Sequence, residues 1–205
     1  MWQGINSTFN TKRLLDIAIS IAGLIALFPL FVVIGVAIKI NSKGPLFYSQ
    51  ERIGRGFRPF RIHKFRTMVR DADRNGPLIT RGGDPRVTRL GELLRKNKLD
   101  ELPQLLNVLL GQMSLVGPRP EIRPYVEKFR ADYETILSVR PGITDLASLK
   151  YANEESVLAA AVDWEEEYVR RVLPEKMHLA KKYVQKSSLS LDFIILIATV
   201  RQLLN

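Results

Sequence analysis

From Ile17 to Ile38 the chain runs almost without a polar side chain, and this stretch limits the possible folds more than any other feature. At ~1.5 Å per residue it reaches ~33 Å as a helix, enough to cross a bilayer core of ~30 Å. It is long for the apolar core of a secretory signal, and no small-residue cleavage site follows Ala37 before the basic stretch, so it is expected to stay in the mature chain. Two features argue against simple spanning. Lys12 and Arg13 precede the run and Lys39, Lys43, Arg52, Arg55, Arg58 and Arg61 follow it, so the positive-inside rule draws both ends to the cytoplasmic side. Pro29, near the middle, lacks a backbone donor and crowds the carbonyl of Ile25. Two half-helices of ~17 Å, each about half the bilayer core, satisfy length, charge and proline together. The expectation is a re-entrant membrane helix over residues 1–40, broken near Pro29; a spanning helix with a tolerated kink is the alternative. Asp16, at the basic edge, is expected to pair with Lys12 or Arg13.

The chain has 205 residues, room for one compact catalytic unit, here 41–205, plus the membrane appendage. Its net charge of +10 and pI of about 10.0 call for a polyanionic partner: nucleic acid, an anionic lipid surface or phosphorylated substrates. The absence of cysteine excludes disulfides, thiolate zinc sites and a cysteine nucleophile. With His63 and His178 the only imidazoles, acid–base chemistry falls to carboxylates.

Asn41 to Pro45 reads as a linker. Leu46–Gln50 and Phe57–Lys64, where Phe60 and Ile62 alternate with Arg61 and His63, predict a β-hairpin around Gly54-Arg55-Gly56. Arg70 to Pro85 is a polar, glycine-rich loop. Helices are expected over Thr88–Asn97, from about Asp100 to Leu110 with Gly111 closing it, over Glu121–Val139, and over Glu154–Gln185 with an interruption at Pro174. The apolar tail Leu189–Leu204 suits either the core or an interfacial helix. The fold class is α+β and mostly helical: a membrane helix, a small hairpin and a helical catalytic domain with interfacial helices.

Two segments could carry chemistry. Asp100 stands where a helix should start, with Glu101 beside it and Pro103 in the first turn. One reading is an ordinary helix cap. The other is a carboxylate kept ionised by the helix terminus, amid donors suited to phosphate, which can attack phosphorus. Arg95, just upstream, would clamp a phosphate. In Val116-Gly117-Pro118-Arg119-Pro120 the flanking prolines stiffen the backbone that presents Arg119, as bidentate phosphate recognition requires; a plain proline turn with a solvated arginine is the alternative. Arg140-Pro141-Gly142-Ile143-Thr144 repeats the idea, and Lys64-Phe65-Arg66-Thr67-Met68 adds cations at the hairpin's end.

The apolar segment with its central proline is followed by Lys64-Phe65-Arg66-Thr67-Met68, Leu99-Asp100-Glu101-Leu102-Pro103-Gln104, Val116-Gly117-Pro118-Arg119-Pro120 and Arg140-Pro141-Gly142-Ile143-Thr144. Over Lys12 to Thr144 this order resembles the bacterial sugar transferase family, the monotopic phosphoglycosyl transferases. The resemblance implies a catalytic domain on the cytoplasmic face of the bacterial inner membrane. It also implies transfer of a sugar-1-phosphate from a UDP-sugar to a polyprenyl (undecaprenyl) phosphate, with release of UMP. By that likeness Asp100 is the nucleophile that carries the phosphosugar covalently, and Glu101 the neighbouring acid–base or metal-organising carboxylate. Mg²⁺ would sit at Asp100 and Glu101, and Lys64, Arg95, Arg119 and Arg140 would hold phosphate oxygens. The partners implied are donor, lipid acceptor and membrane lipids, with an oligomer possible and no nucleic acid. The chain departs from the pattern at Phe28, where a serine often precedes the membrane proline, and at Asp145-Leu146-Ala147-Ser148, where many members read Gly-Trp-Ala-Gln.

Two other readings compete with this one. A metal-dependent glycosyltransferase could use Asp71-Ala72-Asp73, but the chain is short for the usual nucleotide-sugar fold. A basic membrane or nucleic-acid-binding module predicts salt-sensitive binding without dependence on Asp100, yet no nucleic-acid motif is present and the basic residues are spread out.

Overall fold

A computed structural model describes residues 3–72, 80 and 82–204, with side chains from residue 11 onward. Helix α1 (Gln3–Asn41) opens the chain and continues through Pro29 without a non-helical residue, so the break expected near Pro29 is not a gap in the helix. Its two faces differ in what they meet. Asp16, Ser20, Ile34 and Ile38 are buried against the rest of the chain, at helical spacing within each arm. The other face exposes Leu14, Ile21, Ile25, Phe28, Val32, Val36 and Ile40, also three, four or seven apart. Apolar residues on both faces are what a helix needs when protein covers one side and lipid can cover the other.

Both ends of α1 are fastened to one body. At the start, Lys12 Nζ pairs with Asp192 Oδ2 at 2.5 Å and donates to the Val116 carbonyl at 2.9 Å, while Arg13 donates to the carbonyls of Val108 and Leu109 at 2.6 and 3.0 Å. Asp16 does not pair with Lys12 or Arg13 as expected. Its buried Oδ1 accepts from the Leu115 N–H at 3.1 Å, because a strand edge offers that donor where no water reaches. At the other end Ile34 and Ile38 pack with Phe65 and Leu94. Arg66 then ties down the linker through the carbonyls of Ser42 and Lys43.

The hairpin forms as the alternation predicts: β1 (Phe47–Ile53) and β2 (Pro59–Phe65) pair antiparallel, Phe47 opposite Phe65, around a tight 3₁₀ turn at Arg55–Phe57. Helix α2 (Arg89–Lys96) is capped by Thr88 Oγ1, which accepts from the Gly91 N–H at 2.9 Å. A Cβ at Gly91 would lie 1.9 Å from the Thr67 carbonyl oxygen, so only glycine lets α2 approach the end of the hairpin this closely.

Beyond α2 the expected helix from Asp100 is replaced by a 3₁₀ turn, Leu99–Glu101, entered through left-handed Lys98; helix α3 (Gln104–Leu109) begins only after Pro103. Strands β3 (Ser114–Val116) and β4 (Gly142–Thr144) pair in parallel. Gly142 is packed against Gly117 so tightly that a Cβ there would meet the Gly117 nitrogen at 2.1 Å. Between them the expected single helix over Glu121–Val139 divides at Phe129 into α4 (Arg123–Lys128) and α5 (Arg130–Ile136).

Helices α6 (Leu146–Lys150), α7 (Glu154–Ala159) and α8 (Trp164–Glu167) lead through a π-helical turn, Tyr168–Val172, into α9 (Leu173–Lys186). Pro174 falls in the first turn of α9, directly after the π-helical turn, and the helical run is not interrupted there. The interruption lies upstream, before the Asp163 cap of α8. Helix α10 (Leu189–Leu204) buries Ile195 and Asp192 and exposes Phe193, Ile194, Ile197, Val200, Leu203 and Leu204, which combines the two readings of the tail.

Candidate active site

A cleft of about 1300 Å³ is lined by Asp100, Glu101, Lys64, Arg95 and Arg119, by Ile19, Gly23 and Leu27 of α1, and by Thr199, Gln202 and Leu203 of α10. With Ile143 and Thr144 of the last motif, four of the motif segments thus line one cleft, and the two apolar helices form part of its rim.

Asp100 is not a helix cap. It lies inside the 3₁₀ turn, makes no capping hydrogen bond, and is 6% exposed. Its ion-pair partner among the described residues is Lys64, whose Nζ is 4.0 Å from Oδ2. Burial raises the pKa of its carboxyl above the ordinary value, and the negative charge of Glu101 adds to this, while Lys64, Arg95 and Arg119 oppose it. The field that favours its ionised form therefore comes from side-chain cations rather than from a long helix terminus. Left-handed Lys98 sits two residues upstream, a conformation that costs of order 1 kcal/mol in a non-glycine residue and turns the chain so that Asp100 faces the cleft.

Glu101 is the hub of the cations. Its Oε1 accepts from Lys64 Nζ at 2.6 Å and from Arg119 Nη2, and its Oε2 accepts from Arg119 Nη1 at 3.1 Å. Burial disfavours its ionised form, yet Arg119 and Lys64 together outweigh burial and hold the carboxyl well below its usual range. With both oxygens engaged, Glu101 positions the two cations beside Asp100. The bidentate geometry expected of Arg119 toward a phosphate is formed instead toward this carboxylate. Its main-chain N–H is fixed in turn by Asp145 Oδ2 at 3.1 Å, and Asp145 also caps α6 through Ser148.

Arg95 lines the cleft but spends two donors elsewhere: Nε on Thr67 Oγ1 and Nη1 on Glu155 Oε1, both at 2.9 Å. Arg140 is not brought to the cleft. Its Nε donates to the Gly111 carbonyl at 3.0 Å and its side chain lines a separate cavity, because the Pro141-Gly142 turn is committed to pairing β4 with β3. Arg140, expected among the groups that hold phosphate, is thus set apart from Asp100, Lys64 and Arg119 in this structure.

Asp145, Thr67 and Glu155 were not singled out from the sequence. The Asp145-x-x-Ser148 spacing was a cap signal, whereas Thr67 and Glu155 act through tertiary contacts that no local pattern marks. The far end of the cleft adds a buried network also missed: Glu121 accepts from Tyr168 Oη at 2.5 Å and Arg52 Nη1 at 3.1 Å. Arg52 and Lys176 overcome the effect of burial and keep Glu121 ionised. Of the Asp71-Ala72-Asp73 pair, Asp73 lies outside the described residues; Asp71 pairs with neighbouring Arg70 at 3.4 Å. Among the described residues no group of three or more acidic, histidine or cysteine side chains converges as a metal cluster would.

A model of bacterial sugar transferases matches residues 7–205, nearly the whole chain, Asp100 and its cations included. The chain belongs to the bacterial sugar transferase family. Membership makes it a transferase and bears out the resemblance read from the motifs. A relative in Aeromonas hydrophila, named UDP-N-acetylgalactosamine-undecaprenyl-phosphate N-acetylgalactosaminephosphotransferase, is 36% identical over 196 residues, covering 94% of this chain and 43% of its own length. The exopolysaccharide production protein ExoY of Sinorhizobium fredii is 38% identical, with 93% of this chain and 84% of the relative covered. A UDP-glucose:undecaprenyl-phosphate glucose-1-phosphate transferase of Caulobacter vibrioides is 46% identical over 145 residues, 68% of this chain and 53% of its own. Against the Aeromonas enzyme, then, the chain spans less than half of the relative's length.

Proposed function

We propose that this transferase moves a sugar-1-phosphate from a UDP-sugar to a polyprenyl phosphate, in two displacements at phosphorus. In the first, a carboxylate oxygen of Asp100 attacks the β-phosphorus, the bond from that phosphorus to the bridging oxygen breaks, and UMP leaves with the bond's electrons. Asp100 then carries the phosphosugar as an acyl phosphate. In the second, a phosphate oxygen of the acceptor attacks the same phosphorus, the acyl bond breaks, and the Asp100 carboxylate returns with the polyprenyl diphosphosugar formed.

One observation carries the reading: Asp100 is buried in the cleft, has no capping role, and stands beside two cations held by Glu101. Lys64 and Arg119 are placed to hold equatorial phosphate oxygens while charge shifts to the leaving group, and Arg95 can reach the same space by exchanging Glu155 for a phosphate. The cleft's apolar rim on α1 and α10 suits a lipid-borne acceptor. The names of relatives, with undecaprenyl phosphate as acceptor and nucleotide sugars as donors, agree with this.

Mg²⁺ fits the donor set at Asp100, whose carboxylate is not consumed by hydrogen bonds among the described residues; magnesium is commonly held by one or two carboxylates plus substrate phosphates. Bound there, it would screen the diphosphate charge. Glu101 would contribute by orienting Lys64 and Arg119.

A re-entrant placement of α1, on the cytoplasmic face of the inner membrane, is supported by the fastening of both its arms to one body. A helix that crossed the bilayer would separate those arms by ~30 Å of hydrocarbon. Single cysteines introduced at Ser7 and Lys43 should both react with an impermeant maleimide from the cytoplasmic side alone; labelling from opposite sides would sink the re-entrant placement.

The chemistry is tested by mass spectrometry of the detergent-solubilised protein after incubation with Mg²⁺ and a panel of UDP-sugars. A phosphosugar adduct should appear on wild type and be absent from Asp100→Asn. Equal UMP release by both proteins, with no adduct, would refute the covalent role of Asp100.

A further inference from the structure

A second cavity, about 430 Å³, opens where the start of α1, strand β3 and the turn between α9 and α10 meet, and no residue lines both it and the catalytic cleft. Four cations, Lys12, Arg13, Arg55 and Arg140, face it against two carboxylates, Asp16 and Asp192. Both carboxylates are already engaged. Asp192 accepts from Lys12 at 2.5 Å and Tyr183 Oη at 2.6 Å, and Asp16 accepts from the Leu115 N–H. Arg140 uses only its Nε, on Gly111, which leaves both terminal nitrogens; exposed Arg55 has no carboxylate partner among the described residues. Burial, and the like charges of Arg13 and Arg55, depress the pKa of Arg140. Ser114, only 1% exposed, also lines the cavity, and its Oγ has no hydrogen-bond partner. Uncompensated guanidiniums around an unused buried hydroxyl make a site for an anion with several acceptor oxygens.

We propose that this cavity binds a phosphate group, supplied by the headgroup of an anionic membrane lipid. Two observations favour the lipid over a free ion: the cavity lies at the base of the apolar α1, and the flanking helices expose Leu14, Phe193 and Ile194 beside it. Such a site fixes the depth at which the start of α1 and α10 meet the headgroup layer. It is independent of the donor chemistry, since none of its residues faces Asp100.

The test uses the full chain in neutral detergent micelles, with dioleoyl phosphatidylglycerol, dioleoyl phosphatidylcholine and inorganic phosphate as probes, read by native mass spectrometry and thermal unfolding. Wild type should bind phosphatidylglycerol and be stabilised by it, but not by phosphatidylcholine. Arg55→Gln, which breaks no hydrogen bond in the structure, and Arg55→Gln with Arg140→Gln should weaken that binding about ten- to hundredfold. UMP release from a cognate donor by Arg55→Gln should stay within about twofold of wild type. If inorganic phosphate displaces the lipid, the phosphate itself is what the cavity recognises; if it does not, recognition extends to the lipid's glycerol and chains, and either result supports the site. Equal retention of the two lipids, or unchanged phosphatidylglycerol binding in both variants, overturns the proposal.

Discussion

Replacing Glu101 by glutamine removes one negative charge and preserves shape, so its consequences can be worked from the contacts. Glu101 anchors Arg119 through both oxygens and Lys64 through one. Breaking a buried ion pair from one side costs about 3–5 kcal/mol when the partners stay buried. Here the Arg119 and Lys64 side chains are 33% and 22% exposed, so both can recover hydration, and the loss should fall to about 2 kcal/mol. For a chain of this size that corresponds to a fall of about 4–8 °C in Tm. On the proposed mechanism turnover should fall about a hundredfold, because the two cations stay beside Asp100 but are no longer oriented by a shared carboxylate.

The pH profile separates this account from mere loosening. Burial raises the pKa of Asp100 first, and Glu101 raises it further by its charge. The proposed attack by Asp100 needs its carboxylate ionised, so on that mechanism the wild-type rate should drop as pH falls through that raised value. In Glu101→Gln one of the raising influences is gone, and the acid limb should move to lower pH. UMP release measured across pH with saturating donor checks this; a limb that stays put or moves upward would refute the coupling of Glu101 to Asp100. Stability should change in a related way. Glu101 has a depressed folded pKa, so its contribution is present above the ordinary carboxylate value and is lost as pH falls through the folded one. Wild type should thus lose more Tm than the variant on acidification through that range.

Lys64→Gln removes a cation that lowers the pKa of Asp100, so its acid limb should move upward, opposite to Glu101→Gln, with turnover reduced about a hundredfold in the same UMP assay. Gly91→Ala puts a Cβ against a backbone oxygen that cannot rotate away, and should cost at least about 1–3 kcal/mol in thermal unfolding and weaken the Arg95–Thr67 contact. Asp192→Asn leaves Lys12 half-buried without its carboxylate and should lower Tm by about 4–8 °C; an unchanged Tm would show that the start of α1 is held by Arg13 and packing alone.

The hairpin was readable because Phe60 and Ile62 alternate with Arg61 and His63, a local period of two. Asp100, Glu101, Lys64 and Arg119 were readable through their motif order, and the structure places them together. In sequence a proline-bound arginine such as Arg140 looks alike whether its turn serves a phosphate or a strand pair, and the contact of Gly142 with Gly117 is what commits this turn to the strand pair. The start of the second helix was misread because Asp100 before a proline fits an N-cap, while left-handed Lys98 moved the chain into a 3₁₀ turn. The π-helical turn that leads into Pro174 has no signature in a pattern built on a period of 3.6.

The rim of the cleft, formed partly by Ile19 and Leu27 of α1 and Leu203 of α10, changes how the second substrate is counted. The acceptor proposed above lives in the bilayer, so it can slide its phosphate over that rim by lateral diffusion and need never enter bulk water. The quantity that saturates the enzyme is then the mole fraction of acceptor in the leaflet. Diluting the membrane with inert lipid at constant total acceptor should slow the second displacement, whereas adding buffer should not.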